Sequence, residues 1–357
     1  MTWKLPDWSR EARLSSQIWF GMDVATRFIL FNRWGKQPTY DLEFEFMRKH
    51  QLTHFLDGTK KLGIEKHPHH VLAAEYHCLS NLLGGLDMGF QDDGDRAWVF
   101  YMPPSAFAGS PLLATPAAPK VPAEIMVQNF KAWHANNGVL LGNDRLRFVA
   151  TDLMFAGGPY DAGYWEEASR PLAPDERLII KFGQERGRPG PPPNLGSALW
   201  PQARRDSALR KYNAEYAIGG FAEITKHRGL AEAVIIAEES HQAVFLAWSR
   251  ILLNEFKIEE PRSDVRVATL MRKSFELIQD EFEEQREQTS VALLHKKSRL
   301  RVPQYPGWET MPIEIEQAFA RAWTVISRAV GDPVKVTIEA SRSSGAPATV
   351  WRFKPEN

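Results

Sequence analysis

The sequence predicts an α+β fold that is predominantly helical and carries short antiparallel hairpins. Long segments repeat apolar residues at helical spacing, and shorter segments alternate apolar and polar residues beside turn residues. Two proline-rich stretches, 102–122 and 186–201, interrupt both patterns, because proline ends helices and is excluded from inner strands. The 357 residues, enough for about two domains of ordinary size, are therefore expected to divide into three segments: 1–102, 123–185 and 200–357.

The first segment is expected to be a helical unit with a terminal hairpin. Helical spacing after the possible caps Asp7 and Ser9 predicts one long helix, and two further helices precede the stop signal Gly84 and Gly85. The helices are predicted at 7–34, 40–61 and 69–83, and the strands at 86–90 and 97–102.

The middle and last segments are interpreted from the same signals, helical spacing, alternation and turn residues. The middle one is predicted to be α+β, with a helix at 125–135, strands at 145–152 and 177–182, and a turn-rich loop around 157–165. The last one is predicted to be helical with a terminal hairpin: helices at 206–256, 263–287 and 312–330, and strands at 334–340 and 349–353. The break in 206–256 is expected at Gly219 and Gly220, or at Arg228 and Gly229.

An order of elements recurs in these predictions. A helix, a glycine stop and a hairpin occur near 70–104 and again near 312–355. Such recurrence indicates an internal repeat, so the chain is expected to hold two related helix–hairpin units.

Charge and composition exclude several classes of protein. Lys plus Arg and Asp plus Glu are both 44, so the chain lacks the excess of positive charge that binds nucleic acid. The most apolar stretch, 17–34, is interrupted by charged residues, which disfavours a membrane span. One cysteine, Cys78, cannot form an internal disulfide. We expect a soluble, cytoplasmic protein with neither nucleic-acid nor membrane partners.

Several spacing-specific motifs are missing from the sequence. It contains no phosphate-binding GxxxxGK[ST] loop, no GxGxxG dinucleotide fingerprint after a strand and no GxSxG nucleophile elbow. Nucleotide-dependent enzymes and hydrolases of the GxSxG type are therefore disfavoured.

Glu238 and His241 form the most informative pair. They lie three residues apart in a predicted helix, on the face that also carries Phe245 and Trp248. Polar groups on an apolar face need a partner or a ligand. Two interpretations stay open: a hydrogen-bonded core pair, or a metal or haem ligand, His241, with Glu238 as its acidic neighbour. A di-iron centre would need a second ExxH motif, which is missing.

Three further positions are candidates. His77 shares a helical face with Asn81, which could orient it, whereas Glu75 points away and cannot bind a metal together with His77. Cys78 could be a thiolate or a small buried apolar residue. The glycine-rich segment with Tyr160 and Trp165 could cover an apolar pocket or pack between segments.

Residues 75–85, EYHCLSNLLGG, together with the glycine-stopped hairpins, resemble two groups. One comprises the small ligand-binding domains related to 4-vinyl reductase and L-2-amino-thiazoline-4-carboxylate hydrolase. The other is the trans-anethole oxygenase family, which cleaves the propenyl side chain of aromatic substrates to an aldehyde.

The oxygenase resemblance implies a cofactor, because no side chain activates dioxygen alone. Without flavin and nicotinamide fingerprints, haem is the first expectation and non-haem iron the second. The resemblance then implies His241 as iron ligand with Glu238, Phe245 and Trp248 around the cofactor, His77 and Asn81 as catalytic residues, and Tyr160 and Trp165 against a small apolar aromatic substrate. The other resemblance implies a cofactor-free hydrolase of a small heterocycle, using an activated water or Cys78; a non-catalytic ligand-binding sensor is the third alternative.

Overall fold

The computed structural model describes residues 7–103 and 124–356, and it confirms the α+β fold. The chain divides into two compact units. Unit 1 comprises Met1–Trp8 and Trp34–Arg205, and unit 2 comprises Ser9–Arg33 and Asp206–Asn357. No helix among the described residues is long and apolar enough to cross a membrane.

The described ranges form ten α-helices and nine strands. The helices are α1 (Arg10–Ser15), α2 (Gly21–Trp34), α3 (Lys36–Leu62), α4 (His69–Leu83), α5 (Ile125–Ala132), α6 (Asn137–Leu141), α7 (Gln202–Arg228), α8 (Leu230–Glu255), α9 (Ser263–Glu276) and α10 (Ile313–Ala329). The strands are β1 (Met88–Asp92), β2 (Arg96–Tyr101), β3 (Leu146–Asp152), β4 (Asp161–Glu167), β5 (Leu178–Ile180), β6 (Glu281–Arg286), β7 (Val291–Lys297), β8 (Val334–Ala340) and β9 (Thr349–Pro355).

Each unit is built on one sheet. The order is β1-β2-β4-β3-β5 in unit 1 and β6-β7-β9-β8 in unit 2. All neighbours are antiparallel except β3 and β5. In unit 1, α4 packs on β1, β2 and β4; in unit 2, α9 packs on β7 and β9, and α10 on β8.

The first halves of the two sheets match residue by residue. A residue with positive φ follows the helix that precedes each sheet: Gly85 after α4 and Gln279 after α9. The amide after it bonds back to a carbonyl five residues earlier in both units. In the hairpins that follow, Met88 pairs with Tyr101 and Phe282 pairs with His295. Tyr101 of unit 1 is therefore the counterpart of His295 of unit 2.

The second halves match as well. The registers of β3 with β4 and of β8 with β9 shift at the same place, before Asp152 and before Ala340. A turn of 3₁₀-helix follows each of the two strands β3 and β8. Its first amide donates to a side chain at the start of the next strand: Met154 to Asp161 at 2.8 Å, and Arg342 to Thr349 at 3.3 Å. Met154 is thus the counterpart of Arg342.

These matches correct the predicted repeat. The repeating unit is a six-element αββαββ fold, which holds two helix–hairpin pairs, so the segment near 70–104 corresponds to the region of α9, β6 and β7. The segment near 312–355 corresponds to the region of α5 to β4. The sequence pattern therefore paired the first half of the repeat in unit 1 with the second half of the repeat in unit 2. Both halves have the same order of a helix, a stop and a hairpin.

Two elements were predicted wrongly. The helix predicted at 263–287 ends at Glu276, and β6 follows it as an edge strand exposed on alternate residues. The loop predicted around 157–165 contains β4, which lies inside the sheet of unit 1. A Cβ on Gly163 would lie 2.3 Å from Phe148 Cζ, so glycine here permits a close approach and does not mark a loop.

The predicted segment boundaries also need correction. Segments 1–102 and 123–185 are not separate, because β2 pairs with both β1 and β4. The second proline-rich stretch belongs to unit 1: Gly190 bridges to Phe90, and Gly187 packs on Trp98. The first stretch, except residues 102 and 103, lies outside the described residues. The helical break of the last segment lies at Gly229, one of the two predicted places.

Candidate functional site

His241 lies at the centre of a box of aromatic rings in unit 2. Its side chain has no solvent exposure, and neither ring nitrogen has a hydrogen-bond partner among the described residues. Burial lowers the pKa of His241 to about 3, so the imidazole is neutral. Its ring centroid lies 4.2 to 6.4 Å from those of five rings: Trp19, Phe245, Phe275, Phe319 and Trp323. An unpartnered buried polar group costs about 1–3 kcal/mol.

Glu238 does not serve His241 in this structure. Its carboxylate lies 2.7 Å from Arg321 Nε, at the surface, and also accepts from Gln242. The predicted hydrogen bond between Glu238 and the imidazole is therefore not formed, because a surface cation holds the carboxylate. Trp248, on the same helix, is 9% exposed and nearly buried.

The residues around His241 meet the requirements of the two predicted iron sites unequally. A non-haem site needs two histidines and a carboxylate. Glu238 is held by Arg321, and His77 is enclosed in the core of unit 1. Haem needs one axial imidazole, and the free nitrogens of His241 fit that role. Phe319 and Phe245, at 4.2 and 4.5 Å, would have to separate to admit a porphyrin.

His77 lies in a stack of flat rings inside unit 1. Its imidazole stacks on the imidazole of His134, with 4.0 Å between ring centroids, and on the indole of Trp165, with 5.0 Å between ring centroids. Burial, with the neighbouring His134, holds the pKa of His77 well below its usual range, and burial lowers that of His134 to about 3. Both imidazoles are neutral packing elements of this core.

Hydrogen bonds fix this stack. His77 Nε2 lies 2.9 Å from the amide nitrogen of Asn137, whose oxygen accepts from Gln51 at 2.8 Å. Asn81 donates to the main-chain carbonyl of His77, at 2.8 Å, and not to its ring. Asn137 therefore orients the imidazole, a role that the sequence assigned to Asn81. Helical spacing cannot reveal a partner on another helix.

The remaining predicted site residues also belong to the core of unit 1. Tyr160 packs on Phe100 and donates to the carbonyl of Gly187 at 2.9 Å. Trp165 is fully buried and donates to the carbonyl of His134 at 3.2 Å. Cys78 is buried, and burial raises the pKa of its thiol, so it does not have the reactive thiolate that the hydrolase alternative requires.

Unit 2 also carries a small cleft that the sequence analysis missed. The interior space of this cleft is about 10 Å³, which is room for about one water molecule. Ionisable and hydroxyl side chains line much of it: His295, Ser298, Arg301, Glu309, Glu316 and Arg342. A concave site with convergent polar groups is the usual form of a binding or active site.

An aspartate lies beside the histidine of this cleft. His295 Nε2 lies 2.8 Å from Asp280 Oδ2, and both side chains are buried. Asp280 is itself fixed, because Oδ1 accepts from the amide of Arg299 at 2.6 Å and Oδ2 accepts from the hydroxyl of Ser298 at 3.0 Å. His295 also stacks on Phe282 at 4.1 Å. The contact between Nε2 and Asp280 is at ion-pair distance but does not have the geometry of a hydrogen bond, and Nδ1 makes no hydrogen bond to a described residue.

Glu316 supplies a second ionisable group. The carboxyl is 4% exposed, and Oε1 accepts from the Thr349 hydroxyl at 2.7 Å. Burial raises the pKa of Glu316, against the opposing effects of hydrogen bonding with Ser341 and Thr349 and of the nearby His295 and Arg342. A carboxyl with a raised pKa keeps its proton at higher pH and can donate it.

Arg301 and Arg342 differ from most arginines of unit 2. Neither guanidinium forms a hydrogen bond or an ion pair with a described residue, and both line the cleft. Ten other arginines of the unit form ion pairs with carboxylates: Arg10, Arg27, Arg33, Arg262, Arg266, Arg272, Arg286, Arg321, Arg328 and Arg352.

No protein-family model, no curated protein and no solved structure matches the chain. Function is therefore inferred from the chemistry of the sites, since a fold alone does not determine it.

Proposed function

We propose that the cleft of unit 2 hydrolyses a small substrate by general acid–base catalysis. The observation that carries this proposal is the contact of His295 with a fixed carboxylate, 2.8 Å away, on the wall of a cleft that also holds Glu316. This corresponds to the cofactor-free hydrolase among the sequence-based alternatives. The nucleophile is water, because Cys78 is fully buried and does not line the cleft.

Each side chain has one role in this reaction. His295 accepts a proton from water, whose oxygen forms a bond to the electrophilic carbon of the substrate. Asp280, 2.8 Å from His295 Nε2, stabilises the protonated form of the imidazole. Glu316 gives its proton to the leaving group as the bond to that group breaks. Water supplies all the atoms added, so no oxidant is required.

The comparison of the two units supports a functional role for these residues. At the counterpart positions unit 1 carries Leu86 in place of Asp280, Tyr101 in place of His295 and Met154 in place of Arg342. The same αββαββ fold therefore forms without this set of polar side chains. Burying Asp280 and His295 has a desolvation cost. A catalytic role in the cleft would account for the presence of these residues in spite of that cost.

Hydrolysis of a panel of small chromogenic esters, anilides and lactams tests the proposal. We expect His295→Ala to lower the rate about 10²–10⁴-fold, the usual contribution of a general base. The matched control is His70→Ala, which removes a half-buried histidine whose Nε2 lies 2.8 Å from the carbonyl oxygen of Gly94, outside the cleft. Equal rates in His295→Ala and wild type on every hydrolysed compound would overturn the proposal.

Iron-dependent oxygenation, which cleaves a propenyl-aromatic substrate to an aldehyde, is the second candidate. One observation favours it: both ring nitrogens of His241 lack a partner inside an apolar box. His241 would hold the haem iron through one of its ring nitrogens, and haem would supply the activation of dioxygen there. Phe245 would line the cofactor site.

The absorption spectrum tests this second candidate. If His241 binds haem, protein expressed with haem precursor shows a Soret band that His241→Ala removes or shifts. Glu238→Gln is the control, and it leaves the band unchanged because Arg321 holds that carboxylate. A colourless protein after haem reconstitution, or a band unaffected by His241→Ala, would contradict the assignment.

A further inference from the structure

We propose that the cleft of unit 2 recognises an oxyanion group, a carboxylate or a phosphate, through Arg301 and Arg342. The proposal deepens the proposed function, because it rests on the cleft as the place where substrate binds. The proposal assigns ligand recognition to the two arginines, whereas the proposed function assigns catalysis to His295 and Glu316.

The argument starts from charge. Guanidinium groups bind carboxylates and phosphates through paired N–H donors, and most arginines of unit 2 use a carboxylate of the chain in that way. Arg301 and Arg342 have no such partner among the described residues, although both line one cleft. Two unpaired cations in a concave site attract an anionic ligand.

The other charges of the cleft reduce this attraction without cancelling it. Glu309 at the exposed rim is acidic and forms no ion pair with either arginine. Burial raises the pKa of Glu316 and thereby disfavours its negative form. Met154 of unit 1, the counterpart of Arg342, shows that the fold does not require a cation at this position.

Calorimetric titration of the full chain tests the proposal with three probes of one size class: phenyl phosphate, benzoate and the neutral benzyl alcohol. We expect the two anions to bind more tightly than benzyl alcohol, and binding to weaken with added salt. Arg342→Met and Arg301→Met should each raise the Kd of the anions about 10- to 100-fold, which is the range for losing a charge-assisted hydrogen bond.

Two further variants are controls: one tests the direction of the charge effect, and the other tests whether the effect is confined to the cleft. Glu309→Gln removes the opposing charge and should tighten anion binding. Arg250→Met removes a cation that donates to the carbonyl of Ala329, outside the cleft, and should change nothing. A preference for phenyl phosphate over benzoate, or the reverse, identifies which oxyanion the site takes.

The outcomes separate this inference from the proposed function. Anion binding that survives in His295→Ala but accompanies no turnover on any compound supports the inference and removes the hydrolase. Benzyl alcohol binding as tightly as the anions, or Kd values unchanged in both arginine variants, overturns the inference even if hydrolysis is found. The comparison of probes on wild-type protein needs no variant to fold.

Discussion

Replacing Trp165 by alanine is expected to lower the free energy of unfolding by about 3–5 kcal/mol, the usual cost of removing a buried tryptophan. Its ring is fully buried, stacks on His77 and His134, and lies 4.4 Å from that of Phe148. Denaturant unfolding followed by circular dichroism measures the change. The result distinguishes a core residue from the substrate-lining residue that the resemblance implied.

Trp165→Phe is the matched variant for this experiment. It keeps an aromatic ring in the stack and loses the hydrogen bond from Nε1 to the carbonyl of His134. We expect a smaller loss, about 1–3 kcal/mol, from the unsatisfied carbonyl and the reduced volume. A loss below 1 kcal/mol in Trp165→Ala would mean that the ring lines an open space.

The second large effect concerns Glu316. Glu316→Gln is expected to lower the rate of the proposed hydrolysis about 10²–10⁴-fold, because glutamine cannot donate the proton that the leaving group needs. In wild type the rate should fall as pH rises through the raised pKa of Glu316, and this decline should be absent from the variant. A wild-type rate that declines identically in Glu316→Gln would exclude Glu316 as the acid.

The pH dependence of the free energy of unfolding tests the raised pKa of Glu316 independently. Because burial raises the pKa of Glu316, the folded state binds this proton more tightly than the unfolded state does. The stabilisation is complete below the unfolded pKa, about 4.3, and is lost as pH rises through the folded pKa. Across that window the stability of Glu316→Gln should rise relative to wild type, as measured by denaturant midpoints.

Sequence reasoning succeeded where the signal was local. The helix predicted at 69–83 has the observed bounds of α4, because two glycines, Gly84 and Gly85, mark its end. The strand predicted at 334–340 coincides with β8 for the same reason, a glycine stop before an alternating run. The apolar surroundings of His241 followed from helical spacing alone.

The rest depends on contacts between distant residues. Asp280 and His295 are fifteen positions apart and meet because β6 and β7 form a hairpin. Glu316 and Arg342 reach the same cleft from α10 and from the turn after β8. No short motif encodes that meeting. One signal was present in the sequence, a lone histidine that directly follows the apolar run 291–294, but it became informative only once the hairpin was known.

The division of the chain has a consequence for synthesis. Unit 2 takes Ser9–Arg33 from the beginning of the chain and Asp206–Asn357 from its end, whereas all of unit 1 apart from the first eight residues lies between them. A ribosome therefore releases α1 and most of α2 long before their partners exist. Trp19, which is fully buried and packs on Phe245 and Phe275 in the finished unit, is without these contacts while unit 1 is being made. Folding of unit 2 is thereby a late event, and the nascent helices need shielding until Asp206–Asn357 emerges.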